Sequence, residues 1–350
     1  LSRSTHYHDW HLLGPKLEES LEMSDALVAL EAEIIQSFKT LNHPPKPFIP
    51  QRSDPSGAIM KNVLIVGGGM NGLAAAFALR QLGVDNIRHI DAAERGKVGP
   101  WRTYARMELL RSGKNQIGPA LGHALLAPSS WWQASRTDAQ WEGVEFFRRE
   151  AWADYLDWYA KVTRANVEYN TQLKSISAAG EFVNVSILND DGRMMDCNVR
   201  NIVLATGREG FAKPRIPLAF QALLRDQRVI HSSRIFDPAE MAKKRVAVIG
   251  LAASAFDNAA TLAESGASVT IIGRAPKVPR LNKMKYTVTA GFAEGFPLLC
   301  DMEKLAWLQH INASRIAPPH HTVKRVASSG VKLITGATIK KVISSKKCLQ

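Results

Sequence analysis

The chain has 350 residues, a formal net charge of +13 and 45% hydrophobic residues, which is enough to bury a substantial core and to form two or more domains. No apolar run approaches the ~18 residues of a membrane span, and no signal-peptide pattern opens the chain, so we expect a cytoplasmic protein without a membrane span. The excess of lysine and arginine comes without a nucleic-acid-binding motif or interleaved aromatics, so we expect no nucleic acid partner. Three cysteines at 197, 300 and 348 form no CxxC or CxxxxC pair, which argues against disulfide exchange chemistry.

The first 58 residues predict a helical extension. Ser24 is a plausible N-cap, and the helix is expected to stop at the proline-rich stretch NHPPKPFIP at 42–50. We expect this helix to pack on the body of the protein or on a second subunit of a homo-oligomer. Its apolar residues fall on one helical stripe: Leu27, Leu30, Ile34, Ile35, Phe38 and Leu41.

The stretch VLIVGGGMNGLAAA at 63–76 predicts a buried strand, a glycine turn and a helix. Its glycines stand in GxGxxG register: one for the tight turn, one for the approach of a pyrophosphate, and one for close packing of the helix on the strand. A second strand at 87–90 ends in Asp91, 19 residues after the last of these glycines, where a carboxylate is expected to accept hydrogen bonds from a ribose. The pattern predicts a dinucleotide site, with a purely structural glycine turn as the alternative. The three glycines are Gly67, Gly69 and Gly72.

The middle of the chain predicts a tryptophan-rich segment followed by strands. Runs at 181–188 and 194–199 flank the turn NDDGR and predict a hairpin. The run NIVLATG at 201–207 predicts a further buried strand that ends in a turn of small residues, and 211–240 predicts a crossover. The tryptophans of this region stand at 101, 131, 132, 141, 152 and 158.

A second nucleotide pattern, VAVIGLAASAFDNA at 246–259, predicts strand 245–249, a turn and helix 254–264. Alanine replaces the middle glycine, which would push a pyrophosphate outward. The next strand, 268–272, ends in a cation instead of an acid. An arginine at that place suits a 2′-phosphate, so NADPH is favoured over NADH, and Lys277 and Arg280 would add charge; a solvated loop residue is the alternative. The residues in question are Gly250, Ala252, Ser254 and Arg274.

The last segment, 331–350, predicts a strand, a turn and a second strand. A protein with two dinucleotide sites returns to its first sheet to close the first site, and we expect that return to be missing from this sequence. The predicted organisation is a helical extension and linker at 1–58, a first dinucleotide domain at 59–210, a second at 211–330 and incomplete return strands at 331–350. The fold class is α/β with two Rossmann-like domains.

Together these motifs resemble the class B flavin-dependent monooxygenases, a group that includes flavin-containing, Baeyer–Villiger and N-hydroxylating enzymes. The resemblance covers roughly 60–330 and rests on both glycine motifs, Ala205–Gly207 and the stretch VIHSSRIFDP at 229–238. The family fingerprint FxGxxxHxxxY/F/W is degenerate here. Its histidine matches His231, whereas its other positions hold Arg225, Gln227 and, one residue late, Phe236.

The resemblance extends to GPWRTYARMELLRSGKNQIGP at 99–119, which is similar to the part of the family that runs beneath the flavin ring. It implies that Trp101 and Arg102 lie near the isoalloxazine or ribityl chain, and that Arg111 and Lys114 are the catalytic candidates nearest the reacting edge. The alternative for Arg111 is an ion pair with Glu108 or another acid. The segment NKMKYTV at 282–288 lines the substrate side or is an ordinary cationic strand.

The resemblance implies that NADPH reduces FAD, and that reduced flavin and O₂ form a C4a-(hydro)peroxide that oxygenates a small molecule at N, S or a carbonyl. The scattered histidines at 6, 8, 11, 320 and 321 show no metal-ligand spacing, so no metal is expected. FAD is expected on Gly67, Gly69, Gly72, Asp91, Trp101, Arg102, Ala205, Thr206 and Gly207, and NADPH on Gly250, Ala252, Ser254 and Arg274.

Two alternatives stay open. One is an NADPH:flavin reductase or oxidase that releases hydrogen peroxide, which the alanine at 252 favours because poor NADP⁺ retention shortens the life of the peroxide. The other is a non-catalytic nucleotide-binding relative, which the missing return favours.

Overall fold

A computed structural model describes residues 24–116, 118–136, 141–207, 210, 214, 216–221, 223, 228–280, 287, 289–312 and 316–343. Helices and strands alternate along most of this length. The α-helices are α1 Asp25–Thr40, α2 Met70–Gln81, α3 Pro128–Ser135, α4 Arg149–Val162, α5 Leu218–Gln221, α6 Ala253–Glu264, α7 Ala290–Gly295, α8 Asp301–Asn312 and α9 His320–Ser328, with 3₁₀ turns at Ala124–Leu126, Trp141–Gly143, Pro238–Met241 and Phe296–Leu298.

The strands form three sheets. The largest has the order β5-β2-β1-β8-β7-β6, the second has the order β11-β10-β9, and β3 pairs with β4 alone. The strands are β1 Lys61–Val66, β2 Ile87–Ile90, β3 Leu109–Gly113, β4 Phe146–Arg148, β5 Val167–Glu168, β6 Gln172–Ala179, β7 Phe182–Leu188, β8 Met194–Leu204, β9 Arg245–Ile249, β10 Ser268–Ile272 and β11 Lys332–Ile334.

The two larger sheets repeat one arrangement. Strands β5, β2, β1 and β8 run parallel, and so do β11, β10 and β9. In the first sheet β2 lies between β5 and β1, and in the second β10 lies between β11 and β9. Helix α2 connects β1 to β2, and α6 connects β9 to β10. This is the order of a mononucleotide-binding half, so the predicted α/β fold with two Rossmann-like units is confirmed. The predicted domain boundaries stay a prediction.

The N-terminal helix packs on the body of the protein, which settles one of the two expectations for it. The Ser24 hydroxyl accepts a hydrogen bond from the backbone N–H of Leu27 (3.2 Å) and donates one to the carbonyl of Ala134 (2.7 Å), so the predicted N-cap also ties α1 to α3. The stripe was predicted too wide, because Ile35 and Leu41 are 46% and 64% exposed. The residues of α1 that are buried are Leu27, Leu30 and Ile34.

The tryptophan-rich segment forms the largest cluster of buried side chains, which lies between α1, α3 and α4. Its aromatic rings meet edge to face, as Trp132 and Phe147 do at 5.4 Å, and the two buried phenols find carbonyl partners. Burial raises the pKa of both phenols, so they stay neutral donors. The aromatic members of the cluster are Phe77, Trp131, Trp132, Phe147, Trp152, Tyr155, Trp158 and Tyr159, and Trp101 and Trp141 pack against it.

The prediction of two separate strands at 194–199 and 201–207 was wrong, because β8 runs without a break from Met194 to Leu204. Its first half pairs antiparallel with β7, and its second half pairs parallel with β1. The second half is also less buried than predicted, since Leu204 is 39% exposed. A single strand therefore carries the chain from the hairpin directly to the first glycine turn.

The end of the chain agrees only in part with its prediction. The first strand of 331–350 is β11, which pairs with β10, but 335–343 carry no strand and the remaining seven residues lie outside the described part. Within the described residues, no helix is long and apolar enough to cross a membrane.

Neighbouring isoleucines in α1 test whether this helix belongs to the core. Ile34 is fully buried whereas Ile35 is 46% exposed. We expect Ile34→Ala to lower the free energy of unfolding by about 2–5 kcal/mol, because it leaves a cavity beneath α1. Ile35→Ala is the matched control and is expected to change it by less than about 1 kcal/mol. Equal effects in urea unfolding would contradict the docking of α1.

Candidate dinucleotide sites

The first glycine turn is closely packed on one side and open on the other. Gly67 has φ +113°, and a Cβ on it would lie 2.3 Å from the carbonyl oxygen of Ala205. A Cβ on Gly72 would lie 1.8 Å from the carbonyl oxygen of Gly67, so α2 packs directly on the turn. A Cβ on Gly69 would meet nothing within 4 Å. Two glycines are therefore required by the protein itself, and the third faces open space at the N-terminus of α2, a position at which free helix N–H groups can bind an anion.

The predicted turn Ala205–Gly207 lies against this glycine turn. The backbone N–H of Ala205 donates to the carbonyl of Val66 (2.8 Å), which continues the pairing of β8 with β1. Gly207 then takes φ +67°, a conformation that favours glycine. The structure therefore brings these two predicted parts of the first site together.

Asp91 directly follows β2 and lies beside the glycine turn. One carboxylate oxygen accepts the backbone N–H of Gly68 (2.6 Å), and the other accepts that of Ala93 (2.7 Å). Each oxygen keeps a further lone pair, so the carboxylate holds the turn in place and can still accept a ribose hydroxyl.

His89 is a part of this site that sequence reasoning missed. It is 3% exposed, and its Nε2 lies 2.9 Å from the carbonyl oxygen of Gly67. Burial lowers the pKa of His89, against the opposing effects of the Gly67 and Ala165 backbone and of Asp91, so the ring is neutral near pH 7 and donates from Nε2. The only signal in the sequence was a histidine within the short strand predicted at 87–90.

The second glycine turn repeats the first with fewer constraints. Gly250 has φ +132°, and a Cβ on it would lie 3.6 Å from its nearest neighbour, the Cβ of Ala255. Ala252 caps α6 in an extended conformation that any residue adopts, so alanine is tolerated there. The backbone N–H of Ala253 already donates to the carbonyl of Ile316 (3.0 Å), which leaves one donor fewer at this helix terminus, while Ser254 is exposed.

Arg274 stands where the sequence placed it, just after β10. Its side chain is exposed and forms no ion pair with the described residues. The preceding Gly273 is required, because a Cβ on it would lie 2.2 Å from Leu251. The backbone before Arg274 therefore packs closely on the second turn, and its exposed guanidinium is available for an anion.

The residues predicted beneath a flavin ring are all engaged with protein groups. Arg102 forms ion pairs with Asp154 and Asp157 of α4, at 2.6 Å each, and Trp101 packs against the tryptophan-rich cluster. The ammonium of Lys114 donates to the carbonyls of Trp141 (2.7 Å) and Glu142 (3.2 Å). These contacts give Arg102 and Lys114 structural partners, and their roles toward a cofactor stay predictions.

Arg111 takes the alternative foreseen for it, an ion pair with an acid. Its partner is Asp257 of α6 and not Glu108. Asp257 is 2% exposed, and its other oxygen accepts a hydrogen bond from Thr322 (3.1 Å). No pattern in the sequence indicates that an acid five residues after Ala252 contacts β3.

The predicted fingerprint around His231 and the predicted segment 282–288 are described only in part. His231 is half-buried and its Nδ1 is 2.8 Å from the hydroxyl of Ser233, while Phe236 lies under the guanidinium of Arg106 at 4.7 Å. Arg225, Gln227 and most of 282–288 lie outside the described residues. In the part of the chain that the structure covers, no group of three or more His, Cys, Asp or Glu side chains could hold a metal ion.

A family model described as pyridine nucleotide-disulphide oxidoreductase matches residues 64–339, which include both glycine turns. The chain belongs to this family. Its own cysteines at 197, 300 and 348 are nevertheless too far apart in sequence for a CxxC or CxxxxC pair, so membership concerns the nucleotide-binding scaffold.

The chain is also similar to an FAD-dependent urate hydroxylase from Xanthomonas campestris pv. campestris, with 34% identity over 305 residues that cover 87% of this chain and 64% of that protein. It therefore spans less than two thirds of that relative.

Two solved structures share the fold. Ornithine hydroxylase PvdA from Pseudomonas aeruginosa has a TM-score of 0.65 at 18% identity, covering 83% of this chain and 76% of that one. Ornithine N-hydroxylase KtzI from Kutzneria sp. 744, with reduced FAD, NADP⁺ and L-ornithine, has a TM-score of 0.63 at 15% identity, covering 82% and 74%.

Gly69 and Gly72 separate binding from folding. We expect Gly72→Ala to unfold the first unit at lower urea, because its methyl group collides with backbone. Gly69→Ala is expected to change the unfolding free energy by less than about 1 kcal/mol yet to weaken FAD binding at least about tenfold, because its methyl group lies where the pyrophosphate approaches. Fluorescence titration with FAD measures this, and Gly143→Ala, also in open space, is the control. Unchanged FAD affinity in Gly69→Ala would contradict the assignment.

The buried His89 predicts a pH dependence of stability. Its folded pKa lies below the ~6.5 of a free histidine, so the unfolded chain takes up more protons as the pH falls. Its contribution to stability is complete above pH ~6.5 and is lost as the pH falls from there toward the folded pKa. We expect His89→Gln to reduce the fall in unfolding free energy between pH 7.5 and 5.5, measured by urea denaturation. His320→Gln, an exposed control, should keep the slope of the unmodified protein, and an equal slope in all three would refute the prediction.

Proposed function

We propose that this chain is the nucleotide-binding part of an NADPH-dependent FAD monooxygenase. FAD binds the first unit, 59–210, through Gly67, Gly69, Asp91 and the turn Ala205–Gly207. NADPH binds the second, 211–330, through Gly250, Ala252, Ser254 and Arg274. The observation that carries the proposal is that both units repeat one parallel strand order with a glycine turn after the first strand. The second strand is followed by an acid, Asp91, in the first unit and by an arginine, Arg274, in the second.

The residues present fit the two cofactors. Gly69 leaves open space at the N-terminus of the 12-residue helix α2, and helix N-termini favour pyrophosphate. The Asp91 carboxylate repels a 2′-phosphate and accepts a ribose hydroxyl, whereas the exposed guanidinium of Arg274 attracts a 2′-phosphate. The units therefore differ in the sense that FAD and NADPH require.

The chemistry belongs to the cofactors, and the protein supplies binding, orientation and exclusion of water. Bound flavin supplies two-electron reduction by NADPH, reaction with O₂ and transfer of one oxygen atom to a small molecule at N, S or a carbonyl. The described side chains hold the nucleotide turns and, through Arg111 and Asp257, join the two units. Urate is the first substrate to test, because the relative with 34% identity is a urate hydroxylase.

A reductase or oxidase that releases hydrogen peroxide is the second candidate. It is favoured by Ala252 and by the N–H of Ala253, which is already bonded to Ile316 and leaves NADP⁺ fewer donors. Weak retention of NADP⁺ would let reduced flavin return its electrons to O₂ as peroxide.

One experiment distinguishes these readings. Protein loaded with FAD is reduced anaerobically with NADPH and then mixed with O₂ in a stopped-flow spectrometer, with and without urate, ornithine or lysine. A monooxygenase consumes NADPH faster with a substrate and yields hydroxylated product with little peroxide. An oxidase yields one peroxide per NADPH under every condition, and a protein that takes up no FAD overturns both.

Arg274 carries the prediction of cofactor choice. We expect Arg274→Ala to raise the KM for NADPH by about 10–100-fold, because a charged hydrogen bond worth about 1.5–3 kcal/mol is lost, and to leave the KM for NADH within about threefold. Arg193→Ala, an exposed arginine on the hairpin turn, is the control. Equal losses with both nicotinamides would refute the role of Arg274, and the rate of flavin reduction is the readout.

A further inference from the structure

The two nucleotide units meet along the segment that includes β3. The guanidinium of Arg106 lies over the ring of Phe236 at 4.7 Å and donates to its carbonyl. Glu108 lies 4.0 Å from the guanidinium of Arg325 in α9. Arg111, on β3 itself, pairs with Asp257 of α6. Of these contacts, only the last places a charge in the interior of the second unit.

Asp257 is a buried carboxylate with two partners. It is 2% exposed, one oxygen accepts from Arg111, and the other accepts from the hydroxyl of Thr322, which is fully buried. A carboxylate removed from water in this way is stable only when a cation and hydrogen bonds compensate for its lost hydration. Among the described residues Arg111 is the only cation that forms an ion pair with it, so the closest compensation for this buried charge comes from the first unit.

The pair joins elements that also hold the two predicted cofactors. Asp257 is the fifth residue of α6, whose N-terminus follows the glycine turn assigned to NADPH. Arg111 lies on β3, which pairs with β4 directly before α4, the helix that carries Tyr155 and Tyr159 in the core of the first unit. We therefore expect a change in the contact between the two side chains to shift one nucleotide turn relative to the other.

We propose that Arg111 and Asp257 are positioning residues that fix the NADPH unit against the FAD unit for hydride transfer. The inference rests on the proposed function. In that step NADPH gives up a hydride, two electrons with one proton, to flavin, so that NADP⁺ and reduced flavin result and no other reactant is needed. Reacting atoms must come within about 3–3.5 Å, and a misplacement of about 1 Å costs up to ~10²-fold in rate. Arg111 acts through Asp257 and touches no reacting atom in this proposal.

The test compares Asp257→Asn, Arg111→Met and Arg111→Lys, with Arg148→Met as the control. Arg148 is a 63% exposed arginine on the neighbouring strand β4. For FAD-loaded protein we expect the rate of anaerobic flavin reduction at saturating NADPH to fall about 10–100-fold in the first two variants, while the Kd for NADP⁺ changes less than about threefold. Reduction by dithionite, which needs no nicotinamide, is expected to be unchanged. Arg111→Lys keeps the charge but not the planar fork, so it should recover part of the rate.

A second readout needs no cofactor. In protein without nucleotide, Asp257→Asn and Arg111→Met are each expected to lower the Tm by several degrees, because the first leaves the guanidinium without its anion and the second leaves the buried carboxylate without its cation. The double variant Arg111→Met with Asp257→Asn should lose much less than the sum of the two, because it removes both charges.

The outcomes separate the two proposals. If the unmodified protein binds FAD but NADPH does not reduce it, the proposed function fails, and a non-additive Tm still establishes the link between the units. If flavin reduction at saturating NADPH stays within twofold in variants that fold and bind FAD, the positioning role is overturned. Additive Tm losses overturn the pairing itself.

Discussion

The close approach of backbone at the end of β1 is the constraint on which the first unit depends. A Cβ on Gly67 would lie 2.3 Å from the carbonyl of Ala205, and one on Gly72 would lie 1.8 Å from the carbonyl of Gly67. Strand β8, the turn and α2 are therefore packed together with no room for side chains, and Asp91 and His89 fasten the turn from β2. This packing leaves Gly69 as the open position. The same close packing that the fold requires thus leaves open space at the N-terminus of α2, which is where the proposed function puts a pyrophosphate.

The second unit repeats the strand order with weaker constraints at its turn. Its middle position is alanine, a Cβ on Gly250 would have no contact closer than 3.6 Å, and one helix N–H donates to a protein carbonyl. In this unit the close contact is at Gly273, directly before Arg274, where a Cβ would collide with Leu251. Arg274 itself is exposed, and the ion pair between Arg111 and the buried Asp257 links β3 of the first unit to α6 of the second.

Local pattern was sufficient to predict the parts of the fold that follow from short-range rules. Four strands around the two glycine turns, the helices after them and the Ser24 cap were predicted within a few residues, because apolar runs, glycines and caps act locally. Contacts across the chain were not predictable in the same way. The continuity of β8 depends on its having two different neighbours, and the exposure of Ile35 depends on where α3 lies. Asp257 lies 146 residues from Arg111 in sequence, and no spacing rule connects them. The contribution of His89 to the first glycine turn was equally unpredictable, because it depends on the burial of the ring beside the Gly67 carbonyl.

A single chain that holds two different dinucleotides at separate turns binds each of them in the presence of the other. In calorimetric titration, FAD is added to the protein first and NADP⁺ is then added to the FAD-saturated protein, with the reverse order as a check. We expect one FAD and one NADP⁺ per chain, with FAD binding weakened in Gly69→Ala and NADP⁺ binding weakened in Arg274→Ala. Competition between the two dinucleotides for a single site, or binding of neither, would contradict this expectation.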